Sequence, residues 1–85
     1  MIARMWEVKA QPDATFELLE WVRQSALPKL RSYGGFVSAE LYSSLDDRIV
    51  LIVKWDSQPQ AVPAAPTDLV TRDPHSWDFH PVDLS

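Results

Sequence analysis

Residues 34–55, GGFVSAELYSSLDDRIVLIVKW, constrain the fold of this chain more than any other stretch. Segments 36–42 and 49–53 are rich in aromatic and β-branched residues, and Asp46 and Asp47 between them suit a tight turn, so an antiparallel hairpin is predicted. With Asp46 and Asp47 as the loop, Ser44 lies opposite Ile49, Tyr42 opposite Leu51, Glu40 opposite Val53 and Ser38 opposite Trp55. One face then carries Val37, Ala39, Leu41, Val50 and Ile52, suited to lie beneath a helix. The other carries Phe36, Ser38, Glu40, Tyr42, Ile49, Leu51, Val53 and Trp55, too apolar for water alone. A loop one residue longer exchanges these partners.

The flanking segments supply a strand before the hairpin and one after it. Residues 2–10 alternate Ile2, Arg4, Trp6 and Val8 against Ala3, Met5 and Glu7, and neither side is purely polar, as in a central strand. Gln11, Pro12 and Asp13 break it, with Asp13 the expected N-cap of a helix whose apolar stripe is Phe16, Leu19, Val22, Ala26 and Leu30. Pro28 predicts a kink, or a helix that ends near Ala26 and restarts through Arg31. Gly34 and Gly35 are expected to end it in the left-handed conformation. Segment 58–75 holds Pro59, Pro63, Pro66 and Pro74, too closely spaced for a long helix, and reads as a crossover with one short helical turn. A last strand is expected over 76–82, with Trp77 and Phe79 on one side and Asp78 and His80 on the other.

Composition narrows the function. A single domain over residues 1–85 buries only about 60 to 65% of its unfolded surface. Without cysteine it has no disulfide to reinforce it, and two histidines make a metal site improbable, so oligomerisation is the expected remedy. Eight basic against twelve acidic residues, the basic ones scattered, argue against nucleic acid and against an anionic membrane. No run approaches the roughly 20 apolar residues of a membrane span, so the expected location is the cytoplasm. The only glycines follow a helix instead of opening one, which excludes a phosphate-binding loop, and Ser43 and Ser44 lack the turn context of a hydrolase nucleophile.

Strand, helix, hairpin, crossover and strand is the order of an α+β, ferredoxin-like split βαβ unit with a four-stranded antiparallel sheet. Four features carry a resemblance: the opening IARMWEVKA, the helix through LPKL into GGF, the strand VSAELY, and IVLIVKWDS, where a strand ends in Trp, an acid and a serine. Across residues 2–57 the chain thus resembles the antibiotic biosynthesis monooxygenase group of dimeric α/β-barrel proteins. The resemblance implies a homodimer pressed together through a sheet face, since one helix covers only one face. It departs from the family in lacking a second helix. In the heme-degrading branch that helix supplies a heme-facing Trp and His, and the first strand an Asn, near whose position this chain has Arg4; heme degradation is therefore not carried over, and no cofactor is expected.

The polar groups expected in the inter-sheet space are Arg4, Glu40 and Tyr42, framed by Trp6, Trp55 and Trp77. Arg4, Trp6, Trp55 and Trp77 are the ligand-pocket candidates. Aromatic walls with few polar groups suit a small molecule; Trp and Tyr are also ordinary interface residues, the stronger reading of the two, and the alternative for Arg4 and Glu40 is an ion pair with each other or with their dimer mates. For proton handling the candidates are His75, His80, Glu40 and Tyr42. By resemblance the function is a cofactor-independent monooxygenase-like one, in which a substrate carbanion reacts with oxygen in a dry cavity, on a small aromatic or polyketide-like substrate. The alternative is a non-catalytic dimer, binding a ligand or serving as an accessory subunit.

Overall fold

A computed structural model describes residues 1–85, and its strands follow the apolar alternation of the sequence. Strands β1 (Ile2–Lys9), β2 (Phe36–Ser43), β3 (Arg48–Trp55) and β4 (His75–Phe79) form one antiparallel sheet in the order β2-β3-β1-β4. This is the ferredoxin-like α+β arrangement, with β1 and β3 central. No helix is long and apolar enough to cross a membrane.

The helix runs unbroken from α1 (Thr15–Trp21) through a π-helical turn (Val22–Ala26) into α2 (Leu27–Arg31). The π turn answers the Pro28 problem without a break: the Leu27 N–H reaches back to the Val22 carbonyl, and the wider turn relieves the crowding that a proline ring imposes. Leu18, Val22, Ala26 and Leu30 are fully buried, and their four-residue spacing stays on one face because α and π turns together average about four residues per turn. Phe16, expected in this stripe, is 72% exposed, and Leu19 is only half-buried. The helix ends also differ from expectation. The N-cap is Ala14, since Asp13 turns left-handed at φ 67°, and neither glycine has a positive φ. Gly35 is instead a point of close approach: a Cβ there would lie 2.0 Å from Ser57 Oγ and 3.2 Å from Ser57 Cβ, so Ser57 would have to shift.

The hairpin corrects the expected register. Leu45, Asp46 and Asp47 form the loop, with the Ser44 N–H donating to the Arg48 carbonyl at 2.8 Å. Asp47 adopts φ 66°, as the last residue of such a loop does, and is tied down from outside: its carboxylate accepts from Thr15 Oγ1 at 2.8 Å and its carbonyl from the Ala10 N–H at 2.8 Å. The longer loop places Leu41 opposite Leu51, Ala39 opposite Val53, Glu40 opposite Ile52 and Tyr42 opposite Val50. Ser38 faces Lys54, and a bulge brings Phe36 opposite Trp55.

Every side chain of β3 is thereby assigned to the other face than expected. Ile49, Leu51, Val53 and Trp55 are buried under the helix with Trp6 and Val8, and Trp55 is boxed by Tyr33 and Phe36 at ring distances of 6.3 and 5.9 Å. Val50 and Ile52 lie on the far face, alongside Met5, Glu7, Glu40, Tyr42, His75, Trp77 and Phe79. This open face carries no helix. Trp77, Phe79 and Tyr42 are 45, 51 and 51% exposed, and Met5, Val50 and Ile52 are half-buried.

Candidate functional site: a cleft beneath the crossover

Between Trp55 and His75 the only regular element is a 3-10 turn, Thr67–Leu69. Its C-terminal part is stitched to the end of β1: Gln11 N–H donates to the Leu69 carbonyl at 2.8 Å, Thr71 N–H to the Lys9 carbonyl at 2.9 Å, and Ala10 bridges to Val70. Arg72 adds a bidentate pair to Glu7 at 3.0 and 3.1 Å. Residues 57–65, by contrast, make no backbone–backbone hydrogen bond; Val62 and Ala65 hold them to the core by apolar packing.

Proline spacing forbids a helix here, and the small residues of AVPAAP cannot fill the volume a helix would occupy on the β1–β4 half of the sheet. A cleft of about 340 Å³ remains, within the usual range for small-molecule sites. Its floor is Arg4, Trp6 and Ser76, adjacent on β1 and β4; its cover is residues 61–65; Thr67, Val70, Asp73 and Pro74 form the rim. Trp6 is 4% exposed and packs against Trp21 with ring centroids 6.4 Å apart.

The principal charged group of the floor is Arg4. Its Nε and Nη2 donate to the two carboxylate oxygens of Asp78, its partner across β1 and β4, at 2.7 and 2.9 Å. The pairing raises the Arg4 pKa, and the same guanidinium hydrogen bonds hold the Asp78 carboxyl below its ordinary range.

The candidate residues divide between two faces. Arg4 and Trp6 line the cleft together. Trp55 does not line it, because the shifted register sinks its side chain into the core at 1% exposure. Trp77 stands on the open face, stacked on His75 with centroids 5.8 Å apart. Glu40 and Tyr42 also lie on that face and bond each other: Tyr42 Oη donates to Glu40 at 2.5 Å, which raises the Tyr42 pKa. The expected alternative of an Arg4–Glu40 pair is thus replaced by Arg4–Asp78 and Tyr42–Glu40. His75 begins β4 instead of ending the crossover, while His80 follows the strand and is exposed. None of His75, His80, Glu40 and Tyr42 opens into the cleft. The residues that sequence reading missed, Val62, Ala65, Val70, Asp73 and Ser76, carried one usable signal: a run of small side chains crossing a sheet that bears Trp and Arg.

No family model matches the chain, and no curated protein matches it. Solved structures do. That of Rv0793 from Mycobacterium tuberculosis superposes with a TM-score of 0.74 at 23% identity, covering 96% of this chain and 95% of that one. A monooxygenase from the gene ActVA-Orf6 of Streptomyces coelicolor, in complex with nanaomycin D, gives 0.74 at 15% identity over 99% and 89%. An antibiotic biosynthesis monooxygenase gives 0.70 at 12% identity over 98% and 100%. The class so defined is a ferredoxin-like α+β domain with the fold of antibiotic biosynthesis monooxygenases. The resemblance noted over residues 2–57 extends, as fold, over nearly the whole chain.

Proposed function

We propose that this chain binds a small planar aromatic or polyketide-like molecule in the cleft and acts on it as a cofactor-independent, monooxygenase-like enzyme. The observation that carries this reading is the cleft itself: an aromatic and aliphatic cavity in which Arg4, Asp73, Ser76 and Thr67 are the polar groups. Monooxygenases share the fold. The substrate supplies the electrons. A ring methylene made acidic by a neighbouring carbonyl loses a proton, the carbanion reacts with dioxygen, the carbon becomes a carbonyl, and the second oxygen atom leaves as water. In this reading Asp73, the one carboxylate lining the cleft, takes the proton, and Arg4 donates to the oxygen on which negative charge develops.

A second reading, binding without turnover, is favoured by one fact: the histidines, Glu40 and Tyr42 all stand outside the cleft. Oxygen uptake with an anthrone-type substrate, measured beside binding, separates the two. Uptake and binding both lost in Ala65→Trp, which fills the cleft, support the enzyme. Binding without uptake supports the second reading, and absence of both in the unaltered chain contradicts both.

The open face is proposed as the seat of a second copy of the chain. What supports this is the row Met5, Val50, Ile52, Trp77 and Phe79, an apolar surface without a helix to cover it.

A further inference from the structure

The way Arg4 is held selects the charge of the ligand. A guanidinium has five N–H donors in two forks. Asp78 occupies one fork, through Nε and Nη2. Three donors remain, two on Nη1 and one on Nη2, and no group of the chain accepts from them, while the side chain lines the cleft. Hydrogen-bonding capacity is therefore left over, but charge is not. Asp78 neutralises Arg4, and Asp73 adds a second carboxylate at the rim, so this group is net negative against the apolar walls of Trp6, Val62 and Val70.

An anionic ligand would receive Arg4's spare hydrogen bonds but would also meet two carboxylates, screened in part by solvent, after losing some of its own hydration. A neutral carbonyl oxygen takes the same bonds without that repulsion. Resting on the cleft reading above, we infer that the site selects a neutral planar ring bearing a ketone over the same ring bearing a carboxylate, with Asp78 as the specificity-determining residue.

Three naphthalenes substituted at the same ring position test this: acetylnaphthalene, naphthoate and ethylnaphthalene, titrated into the full-length chain at neutral pH with tryptophan fluorescence as readout. In the unaltered chain the ketone binds about fivefold tighter than the carboxylate, as one solvent-screened charge at close range allows. In Asp78→Asn, which frees the Arg4 charge, naphthoate tightens by about fivefold while the ketone changes little. Equal affinities in the unaltered chain, or a folded Asp78→Asn with an unchanged ratio, overturn the inference and leave the cleft reading standing. Failure of all three probes, ethylnaphthalene included, overturns both. The ratio in the unaltered chain decides the matter even if the variant does not fold.

Discussion

Arg4 and Asp78, 74 positions apart in sequence, meet across β1 and β4 in a two-pronged ion pair at 2.7 and 2.9 Å. The pair fastens the last strand beside the first and stands at the margin of the cleft. Because the two side chains retain 23 and 44% of their exposure, solvent screens the pair. Asp78→Asn should therefore lower unfolding stability by no more than about 1 kcal/mol in urea melts. A loss of several kcal/mol would make Asp78 a structural residue first.

Glu7 is the better shielded charge, at 12% side-chain exposure, held by Arg72 on one side and by Arg48 at 3.2 Å on the other. The Arg72 hydrogen bonds lower its pKa, against the opposing effect of burial, and the nearby charges of Arg72, Arg48 and His75 add to the lowering. A depressed carboxylate stabilises the fold above its ordinary value of 4.5, and that contribution is lost as pH falls below it through the lower native value. Glu7→Gln should cost about 1 to 2 kcal/mol at neutral pH and flatten this acid limb. Urea midpoints of both proteins between neutral and acid pH measure it; parallel curves would deny Glu7 the role.

Gly35→Ala should destabilise by about 1 to 3 kcal/mol, because the new methyl collides with Ser57 Oγ and crowds Ser57 Cβ at 3.2 Å. Adding Ser57→Gly removes both contacts and should recover most of the loss. A double-mutant cycle without coupling would place the effect in the backbone instead.

Covering of the open face is tested at Ile52, which lies between Met5 and Glu40 there. Light scattering at micromolar concentration should give twice the chain mass, and Ile52→Asp should give one chain mass with an unchanged circular dichroism spectrum. An unaltered chain that is a monomer removes the second copy from the account.

Much of the architecture was legible because it rests on local signals. Alternation gave β1 and the hairpin arms, proline density ruled out a second long helix, and these suffice for the ferredoxin-like order. The two faces were not legible, because they depend on one residue of loop length, and that length is fixed from a distance by Thr15 and Ala10 holding Asp47. From this single shift Leu51, Val53 and Trp55 changed sides. The helical stripe was misphased for a related reason: the π turn near Pro28 favours a four-residue spacing, which buries Leu18 and turns Phe16 outward. Arg4 and Trp6 were recognisable as a polar and an aromatic group on one strand face, but their cavity lies beneath a segment with no periodicity to read. Its path is set by Leu69, Val70 and Thr71 joining the end of β1.

On the proposed function, small aromatic molecules occupy the cleft beneath the crossover and not the open face. Nuclear magnetic resonance of the chain titrated with acetylnaphthalene tests it most directly. Saturable shifts are expected at Arg4, Trp6, Val62, Val70 and Ser76, with Trp77 and Tyr42 unmoved. Shifts gathered at Trp77, Phe79 and Tyr42, or none that saturate, would contradict it.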